Sequence, residues 1–407
     1  VQTTLERLHE QIVESAHNPL ERARALPPAV YTDPAHYAWE VEHVLRNEWL
    51  CVGHVSQVPS PGDFRNVDLL GEPLLLARGR DGVVRVLSRT CPHRGMDINP
   101  PEYGRPSAGN ARVLRCPYHF WTFGLDGRCT GAPEMQQSQL FCRDETRLHQ
   151  FRTALWHGFV FVNLSGTAKP LDELYDRMGE QLAPWRISDL EMVAELEWDC
   201  AFNWKVLVEN FAECYHHIGA HAKIFEPLFP GKTCWSEDEH PGYTVAHLPL
   251  IAPLAEEVRA QQSSLRQFVD IDTVPIEKRT DWYVYVGFPT FLLFAAPDRV
   301  YWYQVMPDGP ERMKLLTTLL VLPEAKQLPD WEKRLADDLE LLRAFHLEDM
   351  EMCTAVQRGM HSIAYKPGAL SHLEKPLWLI QRYLARRIEA SRGPRPEAEP
   401  APLRAAS

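Results

Sequence analysis

The spacing of apolar residues changes several times along the chain, and each change predicts a different element. In "DPAHYAWEVEHVLRNEWLCVGH" the apolar positions Tyr37, Val41, Val44 and Leu45 recur at helical intervals up to Trp49. That period puts one face of a helix against a core. From 50 to 165 the pattern shortens to runs such as "EPLLLARG", "VVRVLSR" and "HGFVFVNL", punctuated by "PSPGD", "RDG" and "LDG". Short apolar runs between turn-forming residues predict an all-β module. "SGTAKPLDEL" reads as a link. Beyond it, 190–325 mixes strands ("DWYVYVGF", "TFLLFAA", "VYWYQVM", "KLLTTLLVL") with a helical stretch at 203–217. Residues 329–364 predict a long helix or helix pair. Residues 369–391 predict an amphipathic helix striped by Leu370, Leu373, Leu377, Ile380, Leu384 and Ile388. The tail "GPRPEAEPAPLRAAS", 393–407, is rich in proline and alanine and is expected to be disordered. The whole predicts an α+β protein with no internal repeat.

Length and composition bound this picture. A chain of 407 residues fits two to three domains with sizeable cores. Hydrophobic content of 45% and charged content of 24% are those of an ordinary globular protein. No apolar run is long enough to span a bilayer, so no membrane partner is expected. A net charge of −12 argues against nucleic acid as a partner. The 9 cysteines are odd in number and scattered, a poor disulfide framework, which points to a reducing cytoplasm with a few cysteines used as ligands. No glycine-rich nucleotide loop follows any strand, so flavin, nicotinamide and ATP sites lack support.

The first chemistry lies in "CPHRGMDINPPEYGRPSAGNARVLRCPYHFW". Cys91 and His93 are followed, after 22 residues, by Cys116 and His119. Two thiolates and two imidazoles suit a tetrahedral zinc. They suit equally a two-iron, two-sulfur cluster with sulfur on one iron and nitrogen on the other. The surrounding words separate the two: "CPHRG" and "CPYHFWTFGLDG" closely resemble the ligand loops of the Rieske oxygenase family. Phe120 departs from the family pattern, where a small residue is usual. The spacer is also longer than usual, so "PPEYGRPSAGN" is expected to be an extra surface loop.

The second constellation begins at Asn203 in "NWKVLVENFAECYHHIGAHAKIF". Glu213 and His216 are three apart and would share a helix face. His221 follows five later. On an unbroken helix five residues turn about 500°, leaving the two imidazoles about 140° apart. Gly219 offers an end to the helix and a way for the chain to fold back. A carboxylate would complete a facial triad with one face of the metal open. "FHLEDMEMCTAVQRGM", at 345–360, offers one on a predicted helix.

Here too the words are those of a family. "NWK", "EN" and "ECYH", with a later "ED" and "VQRG", resemble the catalytic domain of Rieske non-haem iron oxygenase alpha subunits. The resemblance implies that Cys91, His93, Cys116 and His119 bind one [2Fe-2S] Rieske cluster per chain. It implies that His216, His221 and Asp349 bind one mononuclear Fe(II). Glu348 is the rival for the third place. His217 would point about 100° from His216 on a helix and is rejected as an iron ligand. Glu213 is expected to bridge His216 to a Rieske histidine of the neighbouring subunit.

The likeness runs from about 45 to 360. It implies an all-β Rieske domain (46–165) and a catalytic domain (166–392) with an antiparallel sheet flanked by helices, of the helix-grip type. Residues 1–45 are expected as a helical segment packed on the catalytic domain. It further implies a head-to-tail homotrimer. Electrons would come from NAD(P)H through a separate reductase, a ferredoxin, or both. The expected reaction is O2-dependent hydroxylation, dihydroxylation or dealkylation of a small organic substrate. Candidate walls are Phe202, Leu207, Phe211, Tyr283, Phe291, Phe294, Tyr301 and Trp302. They suit an aromatic substrate, or alternatively a quaternary ammonium compound, as in the choline and betaine branch. Two other classes compete. A Rieske electron carrier would leave His216, His221 and Asp349 without use. A zinc-binding interaction protein would be colourless.

Overall fold

The computed structural model describes residues 2–392; the tail at 393–407 lies outside them. The β-rich module contains three small sheets. One pairs Leu50–His54 with Phe159–Asn163 and Arg152–Trp156. The second runs Val84–Ser88, Glu72–Arg78, Asp63–Leu69 and Ala108–Asn110. The third joins Leu114–Arg115, Thr122–Phe123 and Cys129–Gly131. The expected extra loop, Pro100 to Asn110, is mostly exposed, and its end supplies the edge strand Ala108–Asn110.

The second domain is built on a seven-stranded antiparallel sheet. Its order is Glu191–Cys200, Met313–Val321, Val300–Pro307, Phe291–Ala295, Asp281–Gly287, Tyr243–Pro249 and Trp235–Ser236. Both faces are buried, and the period of two decides which residue goes where. In Asp281–Gly287, Trp282, Val284 and Val286 enter the core on the helix side, while Tyr283 and Tyr285 enter a second core. That second core also takes Phe159, Phe161, Trp49 and Trp156 from the β-rich module, so the two domains share it.

The long helix forms as one element, Trp331–Gly359, rather than a pair. The last helix, Lys375–Ser391, starts later than expected, leaving Leu370 and Leu373 before it; it buries Ile380, Leu384 and Ile388 of the predicted stripe and packs on the first helix, Thr4–His17. A shorter helix, Trp204–Ala212, is capped by the Asn203 side chain, which accepts from the Lys205 N–H at 3.0 Å. A buried ion pair ties this helix to the N-terminal segment: Lys205 Nζ lies 2.7 Å from Glu40 Oε2, both fully buried. Buried charges of this kind persist only when paired.

The short helix ends five residues before its expected end at 217. Glu213 is already extended (φ −126°, ψ 163°), and Tyr215–Ile218 form a separate 3-10 turn. The cause is the Glu213 carboxylate, which accepts the backbone N–H groups of Tyr215 and His216 and so caps a new turn. Gly219 closes that turn rather than ending the helix.

Candidate active site

The two ligand loops of the β-rich module are near copies of each other. The Cys91 N–H donates to the Met96 carbonyl at 2.8 Å, and the Cys91 carbonyl accepts from Gly95 at 2.9 Å. The Cys116 N–H donates to the Trp121 carbonyl at 2.8 Å, and the Cys116 carbonyl accepts from Phe120 at 3.1 Å. Each loop buries its cysteine and leaves its histidine half-buried at the surface. The rings of His93 and His119 come together, centroids 4.6 Å apart, and His93 stacks on Trp121 at 4.7 Å. Among the described residues, donor atoms compact enough for a single ion occur in two groups, and this set is not one of them. One zinc would draw all four donors around a single centre. A cluster spreads its ligands over two irons, and these residues fit that group.

The loop symmetry explains the departure at Phe120. Gly95 and Phe120 hold equivalent positions, and both are left-handed, with φ of 75° and 59°. Glycine adopts that region freely, whereas a side chain there costs about 1–2 kcal/mol. Phe120 is exposed and its ring lies 5.9 Å from the Arg115 guanidinium, little return for the strain. Phe120→Gly is therefore expected to raise unfolding stability by about 1 kcal/mol with the cluster spectrum unchanged, as denaturant titration would measure.

In the second domain the chain brings together His216 from the turn, His221 from the segment after it and Asp349 from the long helix, one donor atom each within 4.8 Å. His216 Nε2 lies 3.7 Å and His221 Nε2 3.0 Å from Asp349 Oδ1. That oxygen is buried and lacks a full hydrogen-bond partner. An orphaned carboxylate oxygen facing two imidazole nitrogens fits a cation between them.

Each imidazole is held from behind by a carboxylate. His216 Nδ1 donates to Glu213 Oε1 at 2.7 Å, and His221 Nδ1 donates to Glu348 Oε2 at 2.7 Å. Protonation at Nδ1 leaves the lone pair on Nε2, where the donors converge. Glu348 and Asp349, adjacent on one helix, thus take opposite sides of one imidazole. Burial opposes the charged form of Asp349, but the close approach and charge of His221, then the charge of His216, hold its pKa below the usual range. Burial likewise opposes the charged form of His221, and Asp349 and then Glu348 outweigh it, raising its pKa. His217 turns away. Burial, then the charge of His216, pushes its pKa down to about 3, and it sits with Cys214 and Cys234 instead.

Above the three donors opens a cleft of about 440 Å³, counted out to its mouth. Its aromatic walls are Phe211, Phe225, Phe294, Tyr303 and Phe345, and among the described residues no lysine or arginine lines it. Of the expected wall residues, Phe211 and Phe294 line it. Tyr283, Phe291 and Trp302 point through the other face of the sheet into the core shared with the β-rich module. Phe202, Leu207 and Tyr301 lie in the helix-side core without lining the cleft. Phe225, Tyr303 and Phe345 line it although none is among the expected walls. Phe225 and Phe345 each lie four residues from an expected iron ligand, and for Phe345, one helical turn before Asp349, that spacing is a usable signal.

A cleft above a two-histidine, one-carboxylate set, paired with a Cys2His2 module of cluster type, defines a Rieske oxygenase. Residues 48–152 match the Rieske [2Fe-2S] domain, and residues 187–390 match the ring-hydroxylating alpha-subunit catalytic domain. The chain belongs to the ring-hydroxylating Rieske oxygenase alpha-subunit family. It is similar to the carnitine monooxygenase oxygenase subunit of Acinetobacter pittii, with 32% identity across 84% of this chain and 87% of that one. It is similar to the glycine betaine monooxygenase oxygenase subunit of Chromohalobacter salexigens, with 26% identity across 85% and 82%. A solved quaternary ammonium Rieske monooxygenase superposes with a TM-score of 0.77 at 25% identity, covering 92% of this chain and 98% of that one. The chain is thus an oxidoreductase of the oxygenase class, and its family implies a Rieske cluster and a mononuclear iron. No helix of the described residues is long and apolar enough to cross a membrane.

The hydrogen bond from His221 to Glu348 makes a prediction. Outer carboxylates orient a metal-binding imidazole, and losing one costs about 10–100-fold in metal affinity or activity. Glu348→Ala is expected to weaken iron retention in the mononuclear site by that factor. Chelator competition followed by iron analysis would measure it, with the Rieske spectrum intact as the internal control.

Proposed function

We propose that this chain is the terminal oxygenase of a multicomponent system that monooxygenates a small quaternary ammonium compound. The observation that carries this reading is the cleft: five aromatic walls and, among the described residues, no lysine or arginine, directly over the His216, His221 and Asp349 donors. Aromatic faces attract a quaternary ammonium, and a desolvated pair is worth about 2 kcal/mol. The resemblance to carnitine and glycine betaine monooxygenases supports the same substrate class.

In this reading His216, His221 and Asp349 hold ferrous iron, and Cys91, His93, Cys116 and His119 hold the [2Fe-2S] cluster. Bound, the iron supplies O2 activation and the cluster supplies single electrons. The chain does the rest. Glu213 and Glu348 fix both imidazoles with Nε2 forward. Three protein donors leave coordination positions free. The aromatic walls exclude water and hold the ammonium group above them.

Electrons are drawn from NAD(P)H through a separate reductase or ferredoxin. The working unit is a homotrimer in which the Rieske tip of one subunit meets the iron site of the next. Exposed apolar residues support such a contact at both ends: Tyr118 and Phe120 beside the Rieske histidines, Tyr215 and Ile218 beside Glu213. Glu213, 9% exposed, would then reach a Rieske histidine of the neighbouring subunit. Nine unpaired cysteines suit a reducing cytoplasm.

An aromatic substrate, the other expectation, would use the same walls. A screen with purified protein, a surrogate reductase, NADH and O2 separates them, scoring oxygenated product by mass spectrometry. Product from carnitine, betaine or choline analogues and none from ring compounds supports this reading. Product from ring compounds alone overturns it. NADH consumption is not the readout, because uncoupled turnover consumes it too.

A further inference from the structure

One set of donor side chains is left without a role by either metal centre. Cys214, His217 and Cys234 bring one ligand atom each within 4.8 Å of one another, and all three are buried. Neither cysteine is in a disulfide. We propose that Cys214, His217 and Cys234 bind a structural zinc ion that staples the loop carrying the iron-binding histidines.

The donor chemistry selects the ion. Two thiolates and an imidazole are ligands for zinc or copper and poor ones for magnesium or calcium. Charge narrows the choice. A divalent ion with two thiolates and a neutral imidazole carries no net charge, whereas Cu(I) would leave a negative charge in a buried pocket. The imidazole is already oriented for the task. His217 Nδ1 donates to the Phe229 carbonyl at 3.3 Å, which leaves Nε2 with the lone pair. A backbone carbonyl behind a ligating histidine is a usual partner. The cysteines have little else to hold them: Cys234 Sγ reaches the Pro230 carbonyl at 3.7 Å, and otherwise the two thiols face each other. Cys214 and His217 also line the cleft, so the fourth tetrahedral position would fall to a solvent oxygen entering from it.

Position gives the ion its purpose. Cys214 and His217 lie on the turn that carries His216, and Cys234 directly precedes the edge strand Trp235–Ser236. Between Ile218 and Gly231 the chain has no helix or strand, although it carries His221 and the wall residue Phe225. Such a segment depends on its ends for shape. Joining both ends through one ion fixes the path on which His221 and Phe225 sit.

Metal analysis of the full-length holoenzyme, purified from zinc-supplied cells, tests this. About one zinc per chain is expected beside the irons, with two sulfur neighbours at about 2.3 Å in zinc-edge X-ray absorption. Zinc misloaded into the iron site is the obvious confusion, and two variants separate it. Asp349→Ala should keep the zinc; Cys234→Ala should lose it while the visible Rieske spectrum persists, which reports folding. The proposal is overturned by a holoenzyme without zinc, by a zinc shell of nitrogen and oxygen only, or by zinc lost with Asp349→Ala and kept in Cys234→Ala. Two hydrogens missing from the intact mass, with Cys214 and Cys234 linked, would also overturn it. The absorption measurement needs no variant, and none of these outcomes depends on the substrate.

Discussion

Asp349→Ala should abolish oxygenation while leaving the Rieske spectrum untouched. Among the described residues the side chain supplies the only carboxylate oxygen that faces both His216 and His221, and that oxygen is buried without a full partner of its own. Removing it takes away one donor of three and the negative charge that balances a divalent ion in a buried site. Loss of an outer carboxylate costs up to about 100-fold, so loss of the inner one should exceed that in turnover. Asp349→Asn keeps the shape and discards the charge, and should fail nearly as badly. Steady-state product formation, with iron counted in the same samples, measures both. Wild-type turnover in Asp349→Ala would mean that the ligand set is wrong.

The second large effect concerns two dead proteins that revive each other. On the proposed ligand assignment, Cys91→Ser or His119→Ala would remove a cluster ligand and His216→Ala an iron ligand. Each alone should be inactive. If electrons cross between subunits, trimers assembled from an equal mixture should recover about a quarter of wild-type turnover. Half of the iron sites are intact, and in a closed ring half of those face an intact cluster. If transfer stays within one subunit, the mixture gives nothing, because no chain carries both working centres. Product formed by co-expressed hybrids distinguishes the two outcomes; tag selection discards the pure trimers, so the expected recovery in the selected hybrids rises to about a third, one productive junction in each ring. The Glu213 carboxylate, already bonded to His216, is the group expected to carry the contact, so Glu213→Ala in the Cys91→Ser chain should remove the recovery.

Much of this was legible in the amino-acid order, and the exceptions have physical causes. The Cys-x-His and Cys-x-x-His spacing and the His216, His221 and Asp349 set stood out because metal chemistry demands particular residue types at short intervals, and the structure brings the last three together. The strands of the sheet were visible as apolar runs. Their facing was not: with both sides of the sheet buried, polar residues no longer alternate with apolar ones to mark the core side. So Tyr283 and Trp302 seemed as good for the cleft as Phe294, although only Phe294 lines it. The separate roles of Glu348 and Asp349 were hidden for a different reason. Adjacent acids on a helix look interchangeable until the position of the His221 ring between them is known. The early end of the helix at Ala212 came from a side chain capping the next turn, which competes locally with helix propensity.

Phe120 shows the reverse case, in which a departure from the family pattern was visible but its meaning was not. Only the matched hydrogen bonds of the two loops reveal that it stands where its twin is Gly95. The extra loop from Pro100 to Asn110 was correctly placed at the surface, yet the edge strand it adds could not be read from three small or polar residues.

The most direct test of the central claim is a single turnover without reductase. Protein reduced in the absence of air, freed of reductant and mixed with O2 and a quaternary ammonium substrate should yield hydroxylated product while the reduced-cluster signal in electron paramagnetic resonance disappears in step. The Asp349→Ala protein, treated identically, should form no product. Product formed while the cluster stays reduced, or formed equally by Asp349→Ala, would contradict the account.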